Sequence, residues 1–174
     1  MPVLPALFAL AFALASVLGT TVAQANSQDI NLTAQVSSYC TLNGSATPAP
    51  ISQVVPVTGG QPATTPIVIT IPVACNTGAD FQIGSLGQGM KGPTALTGVS
   101  NVIHYTASAN GPSLNSLTFE SENLLPGDNF IGGMVSSGVP SGDITVTITP
   151  KTNPLPLRSG NYADTVRILL ITPN

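Results

Sequence analysis

The apolar residues of this chain recur at every second position, and no window carries a sustained helical period with caps. Ile144, Val146 and Ile148 alternate with Thr145, Thr147 and Thr149, and Ile30, Leu32, Ala34 and Val36 alternate with Asn31, Thr33 and Gln35. A period of two puts one apolar row and one polar row on opposite faces of an extended strand. Two other runs, Ile67–Cys75 and residues 163–172, are more continuously apolar and β-branched. The first reads as a central strand packed by both faces, the second as a strong closing strand. Shorter strands are expected at 81–84, 102–107 and 114–119, with at most one short edge strand near Val54-Val55. Turn signals divide them: Asn76-Thr77-Gly78, Asn110-Gly111-Pro112, Pro126-Gly127-Asp128-Asn129 and Gly132-Gly133. Six or seven short strands after the N-terminal one predict an all-β, antiparallel sandwich.

Residues 1–25 are a different kind of sequence. Positions 7–18 are almost all Leu, Ala, Phe or Val, and Ala23-Gln24-Ala25 follows. An apolar core of about a dozen residues closed by Ala-x-Ala is the pattern of a secretory signal cleaved after Ala25. The core is shorter than the roughly 20 residues a bilayer span needs. No Lys or Arg precedes it, a departure from the usual signal. The chain thus divides into a signal at 1–25, an N-terminal strand segment at 26–38 and one domain at 39–174. Export is the expectation, with no membrane insertion of the mature chain.

Charged residues are 6% of the sequence, and the four cations, Lys91, Lys151, Arg158 and Arg167, are scattered. Nucleic-acid binding needs a clustered basic face, so it is not expected. The two cysteines, Cys40 and Cys75, both lie in the exported part, where an oxidising compartment favours one disulfide between them. A metal site is the weaker alternative, because His104 is the only histidine.

Reactive chemistry is sparse. His104 sits in Ile103-His104-Tyr105 with no carboxylate near it in sequence, and Glu120 and Glu122 read as solvated surface. Gly127-Asp128-Asn129 lacks the ligand spacing of a calcium loop. Asn31-Leu32-Thr33 and Asn43-Gly44-Ser45 match the short glycosylation sequon. Neither an enzyme nor a cofactor is expected.

Several short motifs resemble one family. An alternating strand followed by Cys40, the run Ile71-Pro72-Val73-Ala74-Cys75, the strand Ile103-His104-Tyr105 and the segment Gly160-Asn161-Tyr162-Ala163-Asp164-Thr165 are similar to the spore coat U domain and the Csu-type archaic chaperone–usher pilins. The last, Gly-x-Tyr-x-Asp-Thr, is the most specific; its family positions here are Gly160, Tyr162, Asp164 and Thr165. The Phe-Gly often found after the first cysteine is replaced by a Pro-rich stretch from Thr47 to Pro56, and the family's mid-chain basic and aromatic residues are sparse.

The resemblance implies an immunoglobulin-like sandwich that lacks its final strand and is completed by a donor strand from another subunit. Ile30, Leu32, Ala34 and Val36 would be the donor row, and Val166, Ile168 and Leu170 would line the acceptor groove. Partners would be identical or related pilin subunits, a periplasmic chaperone and an outer-membrane usher, in a surface fibre serving adhesion or biofilm formation. The sequence ends at Pro173-Asn174, directly after the closing strand, which fits a missing final strand. The alternative is a self-complete secreted coat protein or tip adhesin, in which the same strand folds into its own sandwich. Loops at 84–100 and 120–138 would then bind a sugar or a protein.

Overall fold

A computed structural model describes residues 31–111, 114–125, 130–135 and 138–172. The expected signal at 1–25 and Ile30 lie outside the described residues. The chain divides into two units at residue 35/36, and the fold that follows belongs to the second.

The described residues form twelve strands and no α-helix. In chain order the first four are β1 (Cys40–Leu42), β2 (Val57–Thr58), β3 (Gln61–Pro62) and β4 (Ile67–Cys75). Then come β5 (Asp80–Ser85), β6 (Met90–Lys91), β7 (Val102–Ile103) and β8 (Tyr105–Gly111). The last four are β9 (Leu114–Glu120), β10 (Phe130–Val135), β11 (Ser141–Pro150) and β12 (Val166–Ile171). A 3-10 turn, Ser121–Asn123, follows β9.

Two antiparallel sheets carry the core. One has the order β1-β4-β11-β8-β9, the other β10-β5-β12. Neither closes into a barrel. Inward residues of both sheets meet in one cluster: Val73 on β4, Phe81 and Ile83 on β5, Tyr105, Ala107 and Ala109 on β8, Phe119 on β9, and Ile144 and Val146 on β11. The alternation read from the sequence is the cause. On β8, Tyr105, Ala107 and Ala109 are buried while Thr106 and Ser108 are half-exposed on the other face. The Tyr105 and Phe119 rings meet edge to face at 6.1 Å, an arrangement that aromatic quadrupoles favour.

Four expectations need correction. β4 is packed on one face only: Ile67, Ile69, Ile71 and Val73 point inward, while Val68 is 61% exposed. Where at most one short edge strand is expected near Val54-Val55, the chain makes two, a β2–β3 hairpin just beyond it around Gly59 and Gly60, both at positive φ. The strand expected at 102–107 is broken at His104 into β7 and β8. The segment around Gly132-Gly133 is not a turn but β10, paired to β5 with a shift in register between Gly132 and Met134. The glycines absorb an irregularity in a strand that sheet pairing imposes.

Candidate functional site

The candidate site is an apolar groove between the two sheets, on the side bounded by β4 and β12. β4 pairs with β11 along one edge, but on its other edge β1 covers only Val73 to Cys75. Alternation along β4 follows from Cys75 donating its amide toward β11, to the carbonyl of Pro140 at 3.0 Å. Ala74 and Pro72 then face β1, and Thr70 and Val68 face the uncovered edge. Pro72 fits this scheme, since its missing N–H falls where the ladder is ending; its carbonyl still accepts from the Asn43 amide at 2.7 Å.

β12 is likewise an edge strand. It pairs with β5 alone, Ile168 opposite Ile83 and Leu170 opposite Phe81. Its side chains at Val166, Ile168 and Leu170 pack against the core yet remain only half-buried. Ile67, Ile69 and Ile71 across the groove are half-buried in the same way. The space between holds about 1070 Å³ and is floored by Tyr105, Val146 and Ile148. One wall is the irregular segment 46–55, where Pro48 and Pro50 remove backbone donors. Thus Val166, Ile168 and Leu170, singled out on the sequence, do share one groove wall. The opposite wall, from β4, is hidden in the sequence, because the continuous apolar run of that strand predicts cover on both faces.

The segment matched with that groove on sequence grounds is described from residue 31. Residues 31–39 form no strand; Leu32 is 90% exposed and Val36 81%, and Ala34 is exposed as well. Cys40 and Cys75 form the expected disulfide, fastening β1 to the end of β4.

The Gly160, Tyr162, Asp164 and Thr165 motif lies at the entrance to β12 and ties it to distant loops. The Asp164 carboxylate is the hub. Oδ2 accepts from the Ser85 hydroxyl at 2.6 Å, the Tyr105 hydroxyl at 2.7 Å and the Gly89 amide at 3.0 Å. Oδ1 accepts from the amides of Gly87 and Thr165, each at 2.7 Å. Ser85 and Tyr105 are buried, so the carboxylate satisfies donors that would otherwise be stranded. Burial pushes the Tyr105 phenol far above the usual tyrosine value; the Ser85 hydroxyl opposes this, and the hydrogen bond and charge of Asp164 reinforce it. The Tyr162 hydroxyl lies 2.8 Å from the Arg158 carbonyl and 3.0 Å from that of Ser100. A Cβ at Gly92 would come within 2.5 Å of the Tyr162 ring, and one at Gly160 would collide with Pro93. The motif is therefore structural, holding the start of β12 in place.

One polar cluster lies apart from the groove. The fold brings Glu122 Oε2 to 4.0 Å from His104 Nδ1, and Ser121 Oγ to 3.3 Å from the same nitrogen. A Ser-His-carboxylate relay needs its two partners on different ring nitrogens. Here both fall on one, and fully buried Ser121 already accepts from the Tyr105 amide at 3.0 Å. Lys151 bridges Glu120 at 3.0 Å and Glu122 at 2.8 Å. The hydrogen bond to Glu122 is the main reason its ammonium is held above the ordinary lysine value. Among the described residues no group of three or more His, Cys, Asp or Glu side chains could hold a metal ion.

A scan of protein-family models finds no match to this sequence, and a search of curated proteins finds none either.

Proposed function

We propose that the chain is a structural subunit of a bacterial surface fibre, assembled by donation of an N-terminal strand from one copy into the groove of the next. The observation that carries this reading is the groove itself: apolar side chains from two sheets, left half-exposed between two strand edges. A strand laid between β4 and β12 would bury alternate apolar side chains in the seam and form main-chain hydrogen bonds to an open edge. Leu32, Ala34 and Val36 have that alternation, and Ile30 continues it in the sequence. On this reading the body is an immunoglobulin-like sandwich short of one strand, and Val166, Ile168 and Leu170 form the acceptor wall. Head-to-tail donation is a heterologous contact that does not close, so it produces a fibre.

An exposed groove of this kind favours aggregation until it is filled. That is a physical reason for a chaperone during export and an usher at the outer membrane, the partners the family resemblance implies. The exported chain is expected to form a ladder of oligomers on size-exclusion chromatography and filaments by electron microscopy. The double substitution Leu32→Asp and Val36→Asp should stop assembly at the monomer. A wild-type chain that stays monomeric at all concentrations would contradict the proposal.

A further inference from the structure

Residues 37–39, which lead into β1, are fastened to Asn76. β1 runs antiparallel to β4, with Cys40 opposite Cys75 and Leu42 opposite Val73. Going upstream from Cys40, residues 37–39 therefore continue past the end of β4 that Asn76 follows. The uncovered edge of β4, around Ile67 to Ile71, lies toward its opposite end. Three hydrogen bonds fasten this course. The Asn76 amide donates to the Tyr39 carbonyl at 3.2 Å, the Tyr39 amide donates to Asn76 Oδ1 at 2.8 Å, and Asn76 Nδ2 donates to the Ser37 carbonyl at 2.9 Å. A carboxamide can accept and donate at once, so a single side chain serves both Ser37 and Tyr39. Beside it the disulfide fixes Cys40.

Only Ser37, Ser38 and Tyr39 separate Val36 from Cys40. For the row ending at Val36 to lie in its own groove, the chain would have to reverse within these three residues. Asn76 binds two of them in the outgoing direction, so reversal forfeits its bonds. We propose that Asn76 is a positioning residue that turns the N-terminal segment away from its own groove and commits it to a second copy of this chain. The inference rests on the fibre reading above and adds to it the residue that decides between self-filling and exchange.

The test compares the full exported chain with its Asn76→Ala and Asn76→Asp variants. Light scattering after size-exclusion chromatography gives the polymer-to-monomer ratio, and hydrogen exchange reports protection of the peptide spanning 31–36. Wild type should be polymeric. Asn76→Ala should shift the ratio roughly three- to tenfold toward monomer, about the worth of one or two exposed hydrogen bonds, and the monomer's segment should be protected. Asn76→Asp keeps the acceptor for Tyr39 but loses the donor to Ser37, so its shift should be smaller; it also supplies the comparison should the alanine variant not fold. An unchanged ratio with only a lower melting temperature would overturn the inference, as would a wild-type monomer whose own segment is already protected. A wild-type monomer with an unprotected segment would instead sink the fibre reading while supporting the outgoing direction.

Discussion

The two long seams between the sheets are lined alike and covered differently. On one side β9 and β10, the edge strands of their sheets, run against each other, and Phe119 is 5% exposed. On the other side β4 and β12 stand apart, and six aliphatic side chains from Ile67 to Leu170 remain half-buried beside the groove. Composition does not explain the contrast, because both sides are apolar. Strand contact does: the β9 and β10 edges meet, whereas β1 covers only Val73 to Cys75 of β4 and β12 pairs with β5 alone. Each Å² of apolar surface left in water forgoes about 25 cal/mol of burial, so the open seam is where an incoming strand has most to gain.

Substitutions on the two sides should separate them. Phe81→Ala, in the fully covered core, should cost about 3–5 kcal/mol in denaturant unfolding of the isolated chain. Ile168→Ala, on the open wall, should cost about 1 kcal/mol there and act mainly on assembly. Equal costs at the two positions would break the comparison.

Asp164→Ala belongs beside the core in magnitude, although the residue is polar and only half-buried. It strands the hydroxyls of Ser85 and Tyr105 and the amides of Gly87 and Gly89, so a loss of about 3–4 kcal/mol is expected, with Asp164→Asn losing less. Replacing both Cys40 and Cys75 by Ala opens a link across 35 residues and should cost roughly 4 kcal/mol by the chain-entropy relation, measured as a drop in melting temperature.

Alkaline pH probes the Tyr105 end of the same knot. Its folded-state pKa is raised, so the phenol keeps its proton in the folded chain while the unfolded chain loses it above about pH 10. Stability should therefore fall as pH rises past 10, by up to about 1.4 kcal/mol per unit from this group. Tyr105→Phe should remove that contribution from the slope. The smallest effect expected is at Lys151→Met, which breaks two partly exposed ion pairs and should change stability by less than about 1 kcal/mol.

The sequence carries the main strands because their period is local. Ile144, Val146 and Ile148 announce β11, and the apolar run before Cys75 announces β4, without reference to anything distant. What it hides is non-local. β10 looks like a turn at Gly132-Gly133 until β5 pairs with it. The half-open state of β4 depends on β1 stopping after three residues, where Asn43 and Gly44 take positive φ and the chain turns. Asp164 was visible as part of a motif, but its role was not, since Ser85 and Tyr105 lie 79 and 59 residues away. The groove was half legible: its β12 wall follows from alternation, whereas its β4 wall required the sheet order.

On the proposed fibre reading, the groove takes up segment 30–36 of a second copy as a strand. The most direct test is refolding of the chain lacking residues 26–38, with and without a synthetic peptide of residues 28–38, followed by thermal melting. Without peptide, recovery of soluble protein should be poor. With peptide, a soluble complex should form that melts at least about 10 °C higher than any protein recovered without it, the shift expected for several kcal/mol in a domain of this size. A peptide carrying Leu32→Asp and Val36→Asp should have no effect. A truncated chain that refolds to a soluble monomer and melts at one temperature regardless of peptide would contradict the fibre reading.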